Sequence, residues 1–427
     1  MSVPALRFKD EAGQDFPDWK AKTISELAIK VIDGDRGQNY PNGNDFSDNG
    51  YCLFLNAKNV TKSGFAFDEL SFITKDKDEQ LRKGKLSKND LIITTRGSVG
   101  NIAHFDSEVK YVNMRINSGM VILRNESTDI SPNYLYQYFY SPIFTKSVQK
   151  IAFGSAQPQL TVLEIKKFIV GLPLIKEQTK IANFLTAVNE KITQLTQKHE
   201  LLTQYKKGVM QQIFSHSKAR SDCTVTYPRG ISQELRFKDE AGQDFPEWEE
   251  SKLGEISSFF SGGTPLTTKS DFYGGEIPFI KSGEISDNKT AQFISASGLK
   301  NSSAKMVLKG DLLYALYGAT SGEVAVSKIE GAINQAVLCI RSKLDTYFLL
   351  SYFLFEKQNI LQTYLQGGQG NLSAEIIKSL IVPIPSKNEQ TKIANFLTAI
   401  DEKITATQTQ LQAVKQYKQG LLQQMFV

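Results

Sequence analysis

The residues of this chain with the types and spacing to do chemistry sit in glycine-bearing turns. Asp33-Gly-Asp-Arg-Gly-Gln-Asn-Tyr-Pro41 places Arg36, Gln38 and Asn39 around glycines, and Ser261-Gly-Gly-Thr-Pro265 places Thr264 ahead of Lys269 and Tyr273. Phe54-Leu-Asn-Ala-Lys-Asn59 ends an apolar stretch on Lys58 and Asn59, and Phe279-Ile-Lys-Ser-Gly283 ends one on Lys281 and Ser282. Arg96-Gly97-Ser98 and Tyr317-Gly318-Ala319 follow apolar runs in the same way. Ser155-Ala-Gln-Pro-Gln-Leu160 carries Gln157, and Gly367-Gly-Gln-Gly-Asn-Leu372 carries Gln369 and Asn371. Arg, Lys, Asn and Gln can make the paired hydrogen bonds that distinguish base edges, while Ser, Thr and backbone amides hold phosphate, so the chemistry these loops offer is DNA recognition. Any one of them reads first as a plain turn, with glycine supplying positive φ and Asn or Asp closing the loop. Four loops that recur in both halves of the chain shift the balance toward function.

Other constellations are weaker. Gly367-Gly-Gln-Gly370 lacks the strand–loop–helix setting and the Lys-Ser/Thr ending of a nucleotide loop. Asp401-Glu-Lys403 resembles a nuclease triplet but reads as the solvated face of a helix. His199 falls on a helix seam, and His104 and His216 have no nucleophile and acid beside them in sequence. Cys52, Cys223 and Cys339 are odd in number and lack metal-ligand spacing, which suits a reducing cytoplasmic setting without disulfides or a zinc site. A net charge of +5 is compatible with nucleic acid without arguing strongly for it. No apolar run approaches a membrane span and no signal-peptide core opens the chain, so no membrane partner is expected.

The elements that must position these loops are duplicated. Glu177 to Ala187 recurs unchanged as Glu389 to Ala399, and Gln204 to Phe214 recurs in close form as Gln416 to Phe426, at one common offset. Between them apolar residues step by three and four: Ile181, Leu185, Val188, Ile192, Leu195, His199, Leu202, Tyr205, Val209 and Ile213. The second copy reads Ile393, Leu397, Ile400, Ile404, Thr407, Leu411, Val414, Tyr417, Leu421 and Met425. Such a seam is that of a coiled-coil strand, and its nearest partner is the other copy. A leader, Leu6 to Pro17, returns unchanged as Leu235 to Pro246, followed by Trp19 and Trp248. Between leader and helix lie two inserts that share little sequence. In them Leu91–Thr95, Asp311–Leu316, Met120–Leu123 and Ala336–Ile340 read as buried strands. Tyr134–Tyr140 and Tyr347–Phe355 read as aromatic-faced helices. Phe168–Val170 and Leu380–Val382 read as strands that stop at Pro173 and at Pro383 or Pro385.

The duplicated frame, the Phe-Pro-x-Trp leaders, Ser-Gly-Gly-Thr-Pro and the Glu-Gln-x-Lys-Ile-Ala-x-Phe-Leu helix starts resemble a specificity subunit of a type I restriction–modification system, over essentially the whole chain. The resemblance implies an α+β protein with a pseudo-two-fold internal repeat, in which two mixed α/β target recognition domains are separated by two long antiparallel coiled-coil helices. The expected divisions are 1–173, first target recognition domain with its leader; 174–214, first helix; 215–233, linker; 234–385, second domain with its leader; and 386–427, second helix. Each domain would read half of a bipartite site in double-stranded DNA. The helices would set the spacing, and around Ile181, Leu185, Val188, Ile192, Ile393, Leu397, Ile400 and Ile404 they would dock two methyltransferase subunits. No catalytic residue, metal or cofactor is expected in this chain. S-adenosylmethionine, ATP and Mg are expected on partners, which include two restriction subunits. The rival readings are a coiled-coil adaptor for proteins and a stand-alone enzyme. DNA affinity falling steeply with salt separates the first of these from a DNA reader.

Overall fold

The computed structural model describes residues 4–152, 159–214, 235–365 and 371–426. Gln157, Gln369, His216, Cys223 and the expected linker 215–233 lie outside the described residues. The chain divides into two compact units, Met1–Leu195 with Gln410–Val427, and Thr196–Thr409. The division cuts through both long helices, Ile175–Phe214 and Lys387–Met425, so each unit holds one insert, the start of one helix and the end of the other.

In the first unit a four-stranded antiparallel sheet runs in the order Ile29–Asp33, Met120–Asn125, Leu91–Thr94, Ile102–His104. A second sheet places Cys52–Leu55 between Phe72–Ile73 and the parallel strand Met114–Ile116. The second unit repeats the first plan as Ser257–Ser261, Val337–Ser342, Leu312–Ala315, Val324–Val326. Its second sheet again pairs Tyr273–Ile280 in parallel with Gly331–Ile333. The inserts that look unlike in sequence therefore share one four-stranded sheet order and one parallel strand pair, while the second sheet has three strands in the first unit and four in the second. Leu91–Thr94 and Leu312–Ala315 are buried at every position, as strands covered on both faces must be, and this is why they read as unbroken apolar runs. The aromatic helices form as expected, at Pro132–Phe139 and Thr346–Tyr364, the second running well beyond Phe355. One strand differs from expectation: Ile381–Ile384 continues through Pro383. Among the described residues it pairs only with Glu249–Lys252, in a two-stranded leaf, so the missing N–H of Pro383 faces no second neighbour there.

Within each unit the start of one long helix packs beside the end of the other, an antiparallel arrangement. Ile181, Ala182 and Leu185 share a core with Leu421, Leu422, Met425 and Phe426. Ile393, Ala394, Leu397 and Ile400 share one with Val209, Met210, Ile213 and Phe214. The expected seam holds at most positions and slips at one, twice. Tyr205 and Tyr417 are 53% and 55% exposed, and the neighbouring lysine turns inward instead. Lys206 donates to both carboxylate oxygens of Asp401 at 2.7 and 2.8 Å, so Asp401 is paired at the edge of the seam while Glu402 and Lys403 stay exposed as a solvated face. Lys418 lies over the Tyr140 ring at 4.8 Å, and burial lowers its pKa. A long aliphatic stem can line a seam while its ammonium finds a carboxylate or a ring face.

Candidate nucleic-acid interface

The leaders and helix starts form a clamp that holds each insert. Glu177 is fully buried and accepts from Arg7 Nε and Nη2 at 3.0 and 2.8 Å and from the Trp19 indole at 3.1 Å. Glu389 does the same with Arg236 Nε and Nη2 at 2.9 and 3.3 Å and with Trp248 at 2.9 Å. Beside it, Gln178 donates to the carbonyls of Asp129 and Pro173 and accepts from Ser131 N, fixing the helix start to the insert. Gln390 makes the matching bonds to Pro385 O and from Asp345 N. Lys180 and Lys392 reach back to the leader carbonyls of Lys9 and Lys238. At the far end of each helix the Gln-Gln-x-Phe signature plants Phe426 against Trp19, Tyr134 and Tyr138, and Phe214 against Trp248, Phe348 and Tyr352. Sequence reading missed this role. Two motifs repeated verbatim, one carrying Arg and followed by a Trp and the other carrying a Glu, are the available signal.

The residues read as a docking seam are corrected by the same packing. Ile181, Leu185, Ile393, Leu397 and Ile400 are buried inside the chain, and Val188, Ile192 and Ile404 are half-buried. The five buried ones build the coiled coil within the chain, while Val188, Ile192 and Ile404 keep part of their surface exposed.

The recurrent loops gather at strand ends, on a shared backbone frame. In the first unit Gly34 crosses the strand end so closely that a Cβ there would lie 2.1 Å from Asn117 O. Asp35, 5% exposed, then folds the loop by accepting from the backbone N–H of Gly37, Arg82 and Lys83. Burial pushes its carboxyl up, but the three N–H donors outweigh it and the pKa falls below the usual aspartate value. Arg36, Gln38 and Asn39 stay exposed. Arg36 Nη2 donates to Ser118 O and to Asp33 Oδ1, both at 3.3 Å. The Arg96–Ser98 turn lies beside the same strand end, through Arg96 N to Gly119 O and a backbone bridge to Gln159. Its Ser98 shares a hollow of about 550 Å³ with Lys58, Thr61 and Lys62. The structure thus brings Arg36, Arg96, Ser98 and Lys58 to one connected set of loops, and adds exposed Arg82, Lys83 and the nearby Lys62, which sequence reading passed over. Asn59 does not belong with them. It is 1% exposed, its amide donates to Ala66 O and Glu69 O, and its Oδ1 accepts from Asn56 N, so it closes a turn and cannot reach a base edge.

In the second unit Gly262 makes a comparable crossing one residue earlier on the neighbouring strand, where a Cβ would lie 1.7 Å from Ile333 O. Thr264 is exposed and donates to Gln335 Oε1 at 2.6 Å. Tyr317 is half-buried and shares the position of Arg96, since Leu316 N bonds Ala336 O where Thr95 N bonds Gly119 O. Exposed Asn371 adjoins it, through Leu372 N to Leu316 O. Lys269 lies over the Phe272 ring at 5.2 Å, and Lys281 and Ser282 open a short turn closed by Glu284.

His104 is buried against Tyr136, its pKa lowered by burial. Among the described residues no three His, Cys, Asp or Glu side chains gather to hold a metal. Burial pushes the thiols of Cys52 and Cys339 up to about 12, which makes them inert packing residues. No helix among the described residues is long and apolar enough to cross a membrane.

A family model described as "Type I restriction modification DNA specificity domain" matches residues 17–204 and 246–416. A putative type I restriction enzyme specificity subunit of Methanocaldococcus jannaschii is 23% identical over 97% of this chain and 94% of its own length. A crystal structure of a type I restriction–modification S subunit from M. genitalium is similar over 100% of this chain and 99% of its own, with TM-score 0.63 and 16% identity. A chain from a structure of type I restriction–modification complex assembly and conformational transition matches over 96% of this chain and 98% of its own, with TM-score 0.54 and 16% identity.

Proposed function

Because the chain belongs to the family of type I restriction–modification DNA specificity subunits, whose members recognise DNA sequence and are not themselves catalytic, we propose that each unit reads its own half of a bipartite target in double-stranded DNA. The observation that carries this reading is the pairing of sameness and difference. Both units share one four-stranded sheet order, one clamp and one set of strand-end loops, yet the tips of those loops differ: Arg36 against Thr264, Arg96 against Tyr317. A frame repeated with unlike tips is what two different half-sites require, because phosphate contacts position and base contacts specify. The long helices set the spacing of the two readings. They also recruit two copies of a methyltransferase that uses S-adenosylmethionine on adenine, through surfaces other than the buried seam. Two restriction subunits driven by ATP and Mg complete the assembly, in the cytoplasm.

Co-purification of the chain with its methyltransferase, followed by native mass measurement, will give two methyltransferase copies per chain. Duplex binding by that assembly will fall steeply between low and physiological salt. A fully active assembly with one methyltransferase, or a DNA affinity indifferent to salt, would overturn the reading.

A further inference from the structure

The two units place an inter-loop contact at the same point of the same frame, and its chemistry differs between them: side chain to backbone carbonyl in the first, side chain to side chain in the second. Leu55 and Ile116 pair in parallel in the first unit as Ile280 and Ile333 do in the second. The next residue bonds back to the neighbouring strand in both, Asn117 N to Leu55 O and Asn334 N to Ile280 O. Each Asn then closes a turn with its own side chain, Gly119 N donating to Asn117 Oδ1 at 2.9 Å and Ala336 N to Asn334 Oδ1 at 3.2 Å. Ser118 and Gln335 are thus one position, held at the apex of a pinned turn. The strand register Asp33 to Val121 and Ser261 to Leu338 likewise makes Gly34 and Gly262 one position, and two residues on, Arg36 and Thr264 another. In both units the side chain from the first loop reaches the apex of the second: Arg36 to Ser118 O, and Thr264 to Gln335 Oε1.

We propose that this inter-loop pair is the principal base-reading element of each unit, Arg36 over Ser118 in one and Gln335 held by Thr264 in the other. The proposal rests on the half-site reading above and names the residues that carry it. Gln335 is exposed, and its oxygen is engaged by the Thr264 hydroxyl, so its amide presents N–H donors outward from a fixed plane. Donors in that setting suit a base edge carrying acceptors, guanine N7 and O6 or thymine O4. Arg36 is tethered through Nη2 to Ser118 O and Asp33, which fixes the guanidinium while its remaining N–H groups have no hydrogen-bond partner among the described residues. A fixed guanidinium suits guanine O6 and N7. Gln335 was not among the candidates read from sequence: a single glutamine between Asn334 and Ala336 carries no local signal, and only the loop crossing reveals its tether.

The test uses the complete chain assembled with its methyltransferase and duplexes carrying the target, each with one base pair replaced. Gln335→Glu keeps the shape and the Thr264 bond while removing the N–H donors. It is expected to lower discrimination at one base pair of one half-site by about 5- to 100-fold, leaving the other half-site unchanged. Thr264→Val, which frees the glutamine, is expected to lower discrimination at that same base pair by less. Arg36→Ala is expected to relax a single base pair of the opposite half-site. Equal weakening on every duplex would make the pair a phosphate contact and overturn the proposal, as would unchanged preference while the wild-type assembly stays specific. A wild-type assembly with no sequence preference would bring down the half-site reading, and the pair with it.

Discussion

Arg7→Ala will destabilise the first unit by about 3–5 kcal/mol, the usual cost of stripping one partner from a buried ion pair. Glu177 is fully buried, and in the variant only the Trp19 indole and no cation would remain beside its carboxylate. Arg236→Ala will do the same to the second unit through Glu389. Arg7→Lys will fall between, because an ammonium cannot span both carboxylate oxygens as the guanidinium does. Lys9→Ala, which removes only an exposed ion pair to Asp15, will stay within about 0.5 kcal/mol of the parent. Urea denaturation followed by tryptophan emission is suited to the measurement, since Trp19 and Trp248 each sit in one clamp. A cost below about 1 kcal/mol for Arg7→Ala would mean that the leader is a decoration on the fold rather than part of its frame.

Lengthening both long helices together will abolish methylation at the native target and create it at one with a wider gap. The insertions are four residues after Leu195 and four after Thr407, buried positions of the two seams. Four residues add about 6 Å of helix, and they come close enough to a full turn to keep the apolar seam in phase with a mild local unwinding. At about 3.4 Å per base pair, the non-specific spacer should grow by roughly one or two base pairs while both half-site sequences persist. An active assembly with the native spacer would show that the helices do not set the distance.

Much of the frame could be read before any coordinates. Leu91–Thr94 and Leu312–Ala315 are unbroken apolar runs because both faces are covered, and the helix seams follow from a spacing that only a helix can use. The seam slips at Tyr205 and Tyr417 because apolar character alone does not say which of two neighbours turns inward. The stems of Lys206 and Lys418 bury as well as a ring does, and each head finds a partner, Asp401 or Tyr140. Asn59 misled for a related reason: an asparagine in a loop looks available, and only the carbonyls of Ala66 and Glu69 show that it is spent. Glu177 reads in sequence as part of a docking helix because its partner Arg7 is far away along the chain, and no local pattern encodes such a contact. The common topology of the inserts was hidden for the same reason. Strand order lies in long-range pairing, such as Ile29–Asp33 on Met120–Asn125, and unlike side chains can satisfy one register.

The most direct test of two independent readers in one frame is an exchange of residues 20–173 for the matching insert of a relative. The leader through Trp19 and the clamp glutamate Glu177 are kept. Gln178 reaches the exchanged residues through backbone atoms of Asp129, Ser131 and Pro173, so a foreign insert of the same topology can satisfy it. The measurement is the map of methylated adenines in cells carrying the chimaera with its methyltransferase. One half of the target should change to the donor's sequence while the other half stays as it was. Simultaneous change of both half-sites, or of neither in an active assembly, would contradict the account.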